Sequence, residues 1–441
     1  MLARSGCPRG TVLGMSDSRT SLEHAPASGP LELEVDFPRL QRDVESLALI
    51  GQDPGDHGIH RPAFSDAFEE AQCWLEARAA EAGLSVRRDG ANNVILRHDN
   101  HRNQRAVMCG SHLDSIPGGG PLDGALGVVA GLEALRRVKE LDLPLRCALE
   151  CVAFTDEEGR FGAMFGSQAM SGRLSAESIA SARDLSGVNL VDVMRARGLE
   201  PVRALQAARP REAVRAFVEL HIEQGPLLEQ AAIPVGVVED IVGLFKWRVS
   251  LRGEANHAGT TPMHLRLDAF QGLAEFAGEI NRVLEEHGSE TSVATIGRVE
   301  LIPGAPNVVP GLVVFSLESR DSHPDVLAEL ANGFRRTLSA VARRRKLEFD
   351  VEILSEIDPV GCDPEIIKII ERSAKRLGLA SMRMPSGAAH DAQMISEITP
   401  VGMIFVPSKG GRSHHPSEST AWQDIRAGAN VLLNTLYELA R

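Results

Sequence analysis

The chain has 441 residues, of which 43% are hydrophobic and 24% are charged. A chain of this length is too long for a single ordinary hydrophobic core, so we expect two domains. Its 47 basic and 60 acidic residues give a net charge of −13, which argues against nucleic acid as a partner. No apolar run approaches the roughly 20 residues of a membrane-spanning helix, which argues against a membrane partner.

The cysteines and the N-terminal segment indicate the cellular compartment of the protein. None of the six cysteines forms a CxxC pair, so neither a disulfide framework nor a thiolate zinc site is expected. Cys147 and Cys151 lie in an apolar strand-like run and are predicted to be in the core, which suits a reducing cytoplasm. Residues 1–30 are rich in Ser, Gly, Pro and Arg and lack the apolar segment of a secretory signal. We predict that this segment is a disordered tail, with Met15 as a second candidate start of translation. We also predict that the protein is cytoplasmic.

Helices and strands alternate in the first part of the chain. Helical spacing of apolar residues predicts helices over 37–50 and 65–82, the second stopped by Gly83. Strand-like runs follow at 92–98, 105–111 and 146–155, with a helix over 124–139 between the last two. Strands that are apolar on both faces and alternate with helices predict a largely parallel sheet covered by helices.

The pattern changes after Val242. The strand "FKWRVSLRG" is followed by a predicted helix with Thr260 or Thr261 as N-cap and Pro262 in its first turn, continuing to about Glu286. Strands are then predicted at 291–300 and 312–319, a helix at 324–343 and a strand at 347–354. This β-α-β-β-α-β order predicts a two-layer α+β, ferredoxin-like unit.

The α/β pattern resumes near the C-terminus, with a helix over 363–377, the strand "VGMIFVPS" and a final helix to Arg441. We therefore predict that the middle unit is inserted into a discontinuous α/β domain. The predicted boundaries are 31–242 and 356–441 for the larger domain and 243–355 for the inserted one.

Potential metal ligands follow four predicted strands of the larger domain. Ligands of open α/β sheets gather beyond the carboxyl ends of the strands. Carboxylates and imidazoles occur there in "GSHLDS", "TDEEG", "ELHIEQG" and "GRSHHPSE", with Asp123 at a helix start soon after the first. These groups suit a borderline cation such as zinc, manganese, cobalt or nickel. One such residue alone is usually a hydrogen-bonded surface group, but four coincidences at equivalent strand ends indicate a metal site.

Two other interpretations of the segment 110–128 fail. Its glycines do not match a phosphate-binding loop, because no Gly-Lys-Ser/Thr follows them. Ser111, His112 and Asp114 cannot form a hydrolase triad, because residues so close on one strand do not aim at one another. We expect the glycines to let the backbone turn sharply, so that Asp123 returns to the edge where His112 points.

The chain resembles a known family through motifs that occur in order between residues 36 and 440. They are "GSHLDS", "DGALGV", "DEEG", "FVELHIEQGP", "GEANHAGTTPM", "PNVVPG", "PSGAAHDAQ" and "GRSHHPSE". Together they resemble the amidase, hydantoinase/carbamoylase family within the aminoacylase-like two-metal peptidase superfamily. The family includes N-carbamoyl-L-amino acid hydrolases, allantoate amidohydrolases and β-ureidopropionases. The resemblance implies a zinc-peptidase-like catalytic domain and identifies the inserted unit as a dimerisation or lid domain.

The resemblance also implies a ligand set for two divalent ions per subunit, zinc or manganese, with cobalt or nickel possible. Asp123 bridges the two ions, His112 and His221 complete the first site, and Glu158 and His414 complete the second. Glu157 is the implied general base, and Asp114 orients the His112 ring. His415 is the rival of His414, which the Ser-His order of the family favours.

The remaining implied site residues bind substrate. His257 on the inserted domain reaches a neighbouring subunit of a homodimer and polarises the substrate carbonyl. Asn307 and Arg320 clamp the substrate carboxylate, for which the planar fork of arginine is suited, although a surface ion pair is the plain alternative for Arg320. The pocket is further lined by Gln224, Gly387 and His390.

Three positions depart from the family pattern. "EEGRFG" is one residue shorter than the usual "EEGxRFG", so we expect the loop after Glu158 to be re-routed. Leu122 replaces the polar residue often found before the bridging aspartate, and "LESRD" replaces the commoner "DIR" at Arg320. None of these changes removes an implied ligand.

The resemblance implies hydrolysis of a ureido C–N bond in a small ureido-carboxylate, most simply an N-carbamoyl-L-amino acid. Allantoate and β-ureidopropionate are the nearest alternative substrates. A dipeptidase is disfavoured because it does not need the "HIEQG" and "NHAGTTPM" signatures. A metal-dependent binding protein without activity is the alternative of a different class, and Glu157 argues against it because a binder needs no base.

Overall fold

The computed structural model of the protein describes residues 32–99 and 105–441, so the predicted N-terminal tail, residues 1–30, lies outside the described residues. Its strands are β1 (Ser85–Arg88), β2 (Val94–His98), β3 (Ala106–His112), β4 (Ala148–Phe154), β5 (Val214–Ile222), β6 (Val235–Ile241), β7 (Gly243–Arg252), β8 (Asn256–His257), β9 (Val293–Thr295), β10 (Val299–Ile302), β11 (Val308–Val309), β12 (Leu312–Asp321), β13 (Glu348–Ile357), β14 (Val360–Gly361), β15 (Ser381–Ser386) and β16 (Val401–Val406).

The α-helices are α1 (Phe37–Ala48), α2 (Asp66–Glu81), α3 (Ala125–Glu140), α4 (Phe165–Ser171), α5 (Ala176–Ser181), α6 (Leu190–Ala196), α7 (Leu227–Ala231), α8 (Ala269–Gly278), α9 (Ile280–His287), α10 (Pro324–Arg345), α11 (Pro364–Arg376), α12 (Asp391–Ile395) and α13 (Trp422–Ala440). Within the described ranges, no helix is both long and apolar enough to cross a membrane.

Nine strands form the larger sheet, in the order β1-β2-β4-β3-β5-β16-β6-β14, with β15 beside β6. The four central strands β4, β3, β5 and β16 are parallel to one another, and β15 is parallel to β6, whereas β2 and β6 pair antiparallel with β4 and β16. Strands β3, β4 and β16 are buried along their whole length, as expected for parallel strands covered on both faces. The predicted fold class, α/β with a mostly parallel sheet, is confirmed.

Helices cover both faces of this sheet. Residues that follow one another along a strand point to opposite faces. Leu220 of β5 meets α13 at Gly428, whereas the carboxylate of its neighbour Glu219 accepts the backbone N–H of Ala392 in α12. The helices α12 and α13 therefore lie on opposite faces. Cys147 and Cys151 are 3% and 0% exposed and free, as expected for core residues.

The chain between β6 and β14 builds a second sheet with its own core. The order β10-β12-β7-β13, with β9 beside β12, is antiparallel throughout. The helices α8, α9 and α10 pack together, and α8 and α10 contact β7 and β12. The core is apolar and buried, with Trp247, Phe276 and Phe334 among its largest members. This is the predicted two-layer arrangement.

The start of the first helix in this unit differs from the prediction. Neither Thr260 nor Thr261 caps a helix; α8 begins at Ala269, and the Asp268 side chain accepts hydrogen bonds from the backbone N–H groups of Phe270 and Gln271. The predicted helix to Glu286 is two helices, α8 and α9. The strand predicted over 291–300 is likewise two short strands, β9 and β10.

Candidate metal centre

Four ligand-bearing segments meet at one edge of the larger sheet. His112 ends β3, His221 lies near the end of β5, Glu158 follows β4, and His414 follows β16. Asp123 comes immediately before the turn into α3, where Gly124 adopts a φ of 63°. The common direction of β3, β4, β5 and β16 therefore brings these side chains to one place, as the sequence predicted.

The carboxylate of Asp123 lies between two pairs of side chains. Its Oδ1 atom is 3.8 Å from His112 Nε2 and 3.1 Å from His221 Nε2. Its Oδ2 atom is 3.1 Å from His414 Nε2, which is itself 3.5 Å from Glu158 Oε2. One oxygen thus faces each pair, which is the arrangement a bridging carboxylate needs.

These side chains fit a pair of divalent cations. Ligand atoms of His112, Asp123 and His221 lie within 4.8 Å of one another, and so do those of Asp123, Glu158 and His414. The Nδ1 atoms of His112 and His221 are each 2.9 Å from a backbone carbonyl, of Asp114 and Ile222 respectively. With Nδ1 held as the donor, Nε2 of each ring is available as a neutral ligand.

Negative charge is concentrated at this centre. Burial, then the charge of Asp123, raises the pKa of Glu158 to about 8. Burial, then the charges of Asp391 and Glu158, raises the pKa of Glu157 well above its ordinary value. The hydrogen bond and charge of Asp123 outweigh burial and raise the pKa of His221 to about 9. Bound cations relieve such a surplus of negative charge, so the electrostatics favour a metal centre.

Glu157 lies beside the centre without taking a ligand position in either group. Its Oε2 atom is 3.6 Å from His112 Nε2, and its side chain is 11% exposed at the wall of a cavity. Glu158, its neighbour in sequence, points to the His414 side instead. The two adjacent glutamates therefore have different surroundings.

Asp114 acts on the centre through a different contact from the one we expected. Its backbone carbonyl, rather than its carboxylate, meets the His112 ring. The carboxylate accepts hydrogen bonds from the backbone N–H groups of three consecutive residues, Asp156 at 3.0 Å, Glu157 at 3.3 Å and Glu158 at 3.1 Å. Asp114 thereby fixes the backbone of the segment that carries both glutamates.

Of the two adjacent histidines, the structure brings His414 to the centre. The exposed His415 ring instead accepts from the backbone N–H of Ser417 at 3.1 Å and lies 2.8 Å from its hydroxyl. Two further side chains from this segment, Ser413 and Glu418, contact Asp123 and were not singled out from the sequence. Both residues belong to the motif "GRSHHPSE", in which Glu418 accepts backbone amides of the turn that carries Asp123.

A cavity of about 430 Å³ lies over the centre, between it and the open face of the second sheet. Gln224 and Arg320 line it, as the resemblance implied. Gln224 Nε2 donates to Asp123 Oδ2 at 3.0 Å. Arg320 Nη1 donates to the carbonyl of Gly387 at 2.9 Å, while its Nε and Nη2 atoms contact Glu318 at 2.9 and 2.7 Å. Arg320 is thus both an ion-pair partner and a cavity residue.

His390 lies beneath the cavity and is 2% exposed. Its ring centroid is 4.6 Å from that of His221, and its Nε2 atom is 2.9 Å from the Ser386 hydroxyl. Burial, followed by the charge of His221, lowers the pKa of His390 well below its ordinary value. His390 therefore supports the His221 ring, whereas the family resemblance implied a position in the pocket lining.

His257 and Asn307 lie away from the centre of their own chain. Strands β8 and β11 pair there, and the Ala258 N–H donates to the Asn307 carbonyl at 2.9 Å. Both residues are exposed, and neither lines the cavity. A single chain therefore brings together every implied metal ligand but not these two substrate residues.

Comparison with known proteins agrees with this geometry. The sequence profile of peptidase family M20/M25/M40 matches residues 108–438. The chain is 40% identical over 407 residues to the N-carbamoyl-L-amino acid amidohydrolase of Geobacillus stearothermophilus, covering 91% of this chain and 98% of that protein. It is 35% identical over 405 residues to the allantoate amidohydrolase of Escherichia coli, covering 91% and 97%.

A solved structure agrees as well. The crystal structure of an amidase of the hydantoinase/carbamoylase family from Burkholderia multivorans is similar with a TM-score of 0.82 and 33% identity, covering 92% of this chain and 98% of that one. The resemblance found in the sequence motifs is confirmed. The chain belongs to peptidase family M20/M25/M40 and, as a member of its hydantoinase/carbamoylase amidases, is a hydrolase acting on non-peptide C–N bonds.

Proposed function

We propose that the protein hydrolyses the ureido C–N bond of an N-carbamoyl-L-amino acid, giving the amino acid, carbon dioxide and ammonia. The observation that carries this proposal is the Asp123 carboxylate, one oxygen facing His112 and His221 and the other facing His414. That arrangement suits two cations, and the relatives at 40% and 38% identity are named as N-carbamoyl-L-amino acid amidohydrolases.

In this proposal His112, His221 and Asp123 hold one divalent cation, and Glu158, His414 and Asp123 hold the other. The nitrogen and oxygen donors suit zinc or manganese, and also cobalt or nickel. Such ions, when bound, polarise a carbonyl group and lower the pKa of water. Three protein ligands for each ion leave room for substrate, as a catalytic site requires.

Glu157 is the proposed general base. It accepts a proton from the attacking water as the water oxygen bonds to the carbamoyl carbon. The bond from that carbon to the α-nitrogen then breaks, and Glu157 returns the proton to this nitrogen. The carbamic acid released decomposes to carbon dioxide and ammonia. The position of Glu157 on the cavity wall beside His112 supports this role.

Arg320 is the proposed anchor of the substrate carboxylate, together with Asn307 from a second subunit. The Arg320 guanidinium faces the cavity, and Glu318 on one side and the Gly387 carbonyl on the other hold its plane. A fixed planar fork loses little entropy when it binds a carboxylate at two points. We assign Gln224, which lines the same cavity, to the ureido group of the substrate.

We further propose that His257 and Asn307 complete the site of a second subunit in a homodimer. Both are exposed and lie outside the cavity of their own chain. The second sheet exposes apolar side chains along its two outer strands, namely Val299, Leu301 and Ile302 on β10, and Phe349 and Ile353 on β13. Edge strands and exposed apolar side chains suit a contact between subunits.

A substrate panel tests the proposed activity. Purified protein with added zinc or manganese is given N-carbamoyl-L-amino acids, allantoate and β-ureidopropionate, and released ammonia is measured. Hydrolysis with the highest kcat/KM on a carbamoyl amino acid is the expected result. A higher kcat/KM on allantoate would show instead that the protein shares its substrate with the 35% identical allantoate amidohydrolase of Escherichia coli. Failure to cleave any of the three classes would contradict the proposal and favour a binding role.

A further inference from the structure

Glu418 is a buried carboxylate next to the metal centre that is not one of its implied ligands. It lies four residues after His414, and 4% of its surface is exposed. Its Oε1 atom accepts the backbone N–H of Leu122 at 2.8 Å and that of Asp123 at 3.0 Å. Its Oε2 atom accepts the Ser413 hydroxyl at 2.9 Å. A buried carboxylate that accepts two backbone amides and lies within hydrogen-bond distance of a hydroxyl is held in one place.

The two backbone N–H groups that donate hydrogen bonds to Glu418 belong to the turn that carries Asp123. This turn precedes α3, and its backbone conformation determines where the Asp123 carboxylate points. Amides immediately before a helix have no partner within the helix, so another group must accept them or they remain unsatisfied. Glu418 supplies that acceptor from a segment almost 300 residues away in the chain, at a sequence separation of 296 for Leu122.

The turn is shaped to admit the Glu418 side chain. A Cβ atom on Gly120 would lie 2.3 Å from both Cδ and Oε1 of Glu418, far inside van der Waals contact. The glycine therefore provides the space in which the carboxylate sits. This close fit concerns packing and is independent of the hydrogen bonds.

Ser413 adds a second path from Glu418 to Asp123. Its hydroxyl lies 3.0 Å from Asp123 Oδ2 and 2.9 Å from Glu418 Oε2. A hydroxyl has one proton, so it donates to one of these two acceptors at a time. Glu418 thus influences both the backbone of Asp123 and the oxygen of Asp123 that faces His414.

We propose that Glu418 is a positioning residue of the metal centre, which fixes the turn 120–124 so that each Asp123 oxygen faces one pair of ligands. The proposal rests on the proposed function in that it takes Asp123 to bridge two cations. Glu418 acts through the two amides and Ser413 and does not itself touch substrate or cation.

Asp114 and Glu418 then have equivalent roles, because each is a carboxylate that accepts backbone amides of a segment distant in sequence. Asp114 follows His112 and holds the backbone of the Glu157–Glu158 segment. Glu418 follows His414 and holds the backbone of Asp123. Each carboxylate comes from a segment that carries one implied ligand and fixes the backbone of a segment that carries another.

Glu418→Ala and Glu418→Gln test the proposal, because the glutamine oxygen can still accept both amides. Two properties are measured: hydrogen exchange of the Leu122 and Asp123 amides in metal-stripped protein, and affinity for zinc alone by chelator competition. We expect Glu418→Ala to exchange these amides at least ~10-fold faster and to bind zinc about 10–100-fold more weakly, the usual loss when a group that orients metal ligands is removed. Glu418→Gln is expected to recover most of both properties.

Asp363→Ala is the matched control, because that carboxylate also accepts two backbone amides, of Glu365 and Ile366, at 2.9 and 3.1 Å, at the start of α11. Its zinc affinity should equal that of the wild type. If Glu418→Ala does not fold, Gly120→Ala displaces the same carboxylate sterically and should reproduce the effect.

Unchanged amide exchange and zinc affinity in Glu418→Ala would overturn the proposal, as would a Glu418→Gln variant as impaired as Glu418→Ala. These results differ from a failure of the proposed function, in which the wild type itself binds no zinc. Amide exchange still decides the role of Glu418 in that case.

Discussion

Single residues at the metal centre take different roles because their surroundings differ. Glu157 and Glu158 are neighbours in sequence and share one backbone anchor, the carboxylate of Asp114. Their side chains nevertheless separate, Glu158 towards His414 and Glu157 towards His112 and the cavity. The first position suits a ligand and the second suits a base that meets an incoming water molecule.

Substitution of each glutamate should separate these roles. Glu157→Gln keeps the shape of the side chain and is expected to retain metal while kcat falls on the order of 10²–10⁴-fold, because a general base contributes about that much. Glu158→Ala is expected to retain less metal. Metal content per chain and kcat are measured on the same preparations. Loss of metal in Glu157→Gln with full occupancy in Glu158→Ala would reverse the assignment.

Residue type and position sufficed to predict which side chains meet at the centre. His112, Asp123 and His221 are ligand-type residues near strand or helix ends, and that is visible in the sequence. Asp114 and Glu418 act by accepting backbone amides that are 42 or more residues distant, and no spacing rule in the sequence predicts such contacts. The sequence therefore predicts the candidate metal ligands better than it predicts the residues that fix the backbone of those ligands.

At the level of elements, the turn between β3 and α3 determines the geometry of the first ligand pair. Gly124 adopts a left-handed φ of 63°, and a Cβ atom there would lie 2.4 Å from His112 Nε2. The His112 ring therefore packs directly against the glycine backbone. The sequence suggested a sharp turn from its glycines, and the structure adds that the turn also leaves room for the ring.

Gly124→Ala should displace the His112 ring and weaken the metal centre. We expect lower zinc affinity and lower kcat/KM, because the added Cβ atom would lie 2.4 Å from His112 Nε2 and must displace the ring. Gly378→Ala is the matched control, because Gly378 has a φ of 68° and open space around it. Chelator competition and thermal unfolding are measured for both variants. Equal zinc affinity in the two variants would contradict the role given to Gly124.

Helices and strands were predicted correctly where the local apolar pattern was strong. The predictions were wrong where contacts distant in sequence determined the structure. Helix α3 and strands β3, β4 and β16 follow their apolar patterns closely. The predicted helix start at Thr260 or Thr261 was wrong because residues 256–257 pair with 308–309, and Asp268 supplies the cap instead. Strands β6 and β15 were missed because β6 gains its partners from β14, β15 and β16, which lie far away in sequence.

At the scale of the whole molecule, the cavity lies between the larger sheet and the second sheet. The metal-centre side chains lie on one wall, and Lys246, Glu318 and Arg320 lie on the other. We expect movement of the second sheet towards the centre to bring Arg320, the proposed carboxylate anchor, closer to Glu157, the proposed base. Such a movement is expected to exclude water and to assemble the site around a bound substrate.

Mixing two inactive variants should test whether subunits share their sites. His257→Ala and Glu157→Gln are each expected to be nearly inactive as homodimers. In a heterodimer, the intact His257 of one subunit meets the intact Glu157 of the other, so about half of the wild-type activity per heterodimer is expected for one complete site out of two. Heterodimers purified with two tags are assayed for kcat. Heterodimers without any recovery would mean that His257 acts within its own chain or not at all.

The most direct test of the whole account is reconstitution of metal-stripped protein with zinc or manganese, followed by hydrolysis of an N-carbamoyl-L-amino acid. The geometry around Asp123 predicts that stripped protein is inactive and that activity rises to a plateau at about two ions per chain. In His112→Ala the plateau should fall to about one ion per chain with little activity. Full activity in metal-free protein, or a plateau of full activity at one ion per chain, would contradict the two-cation account.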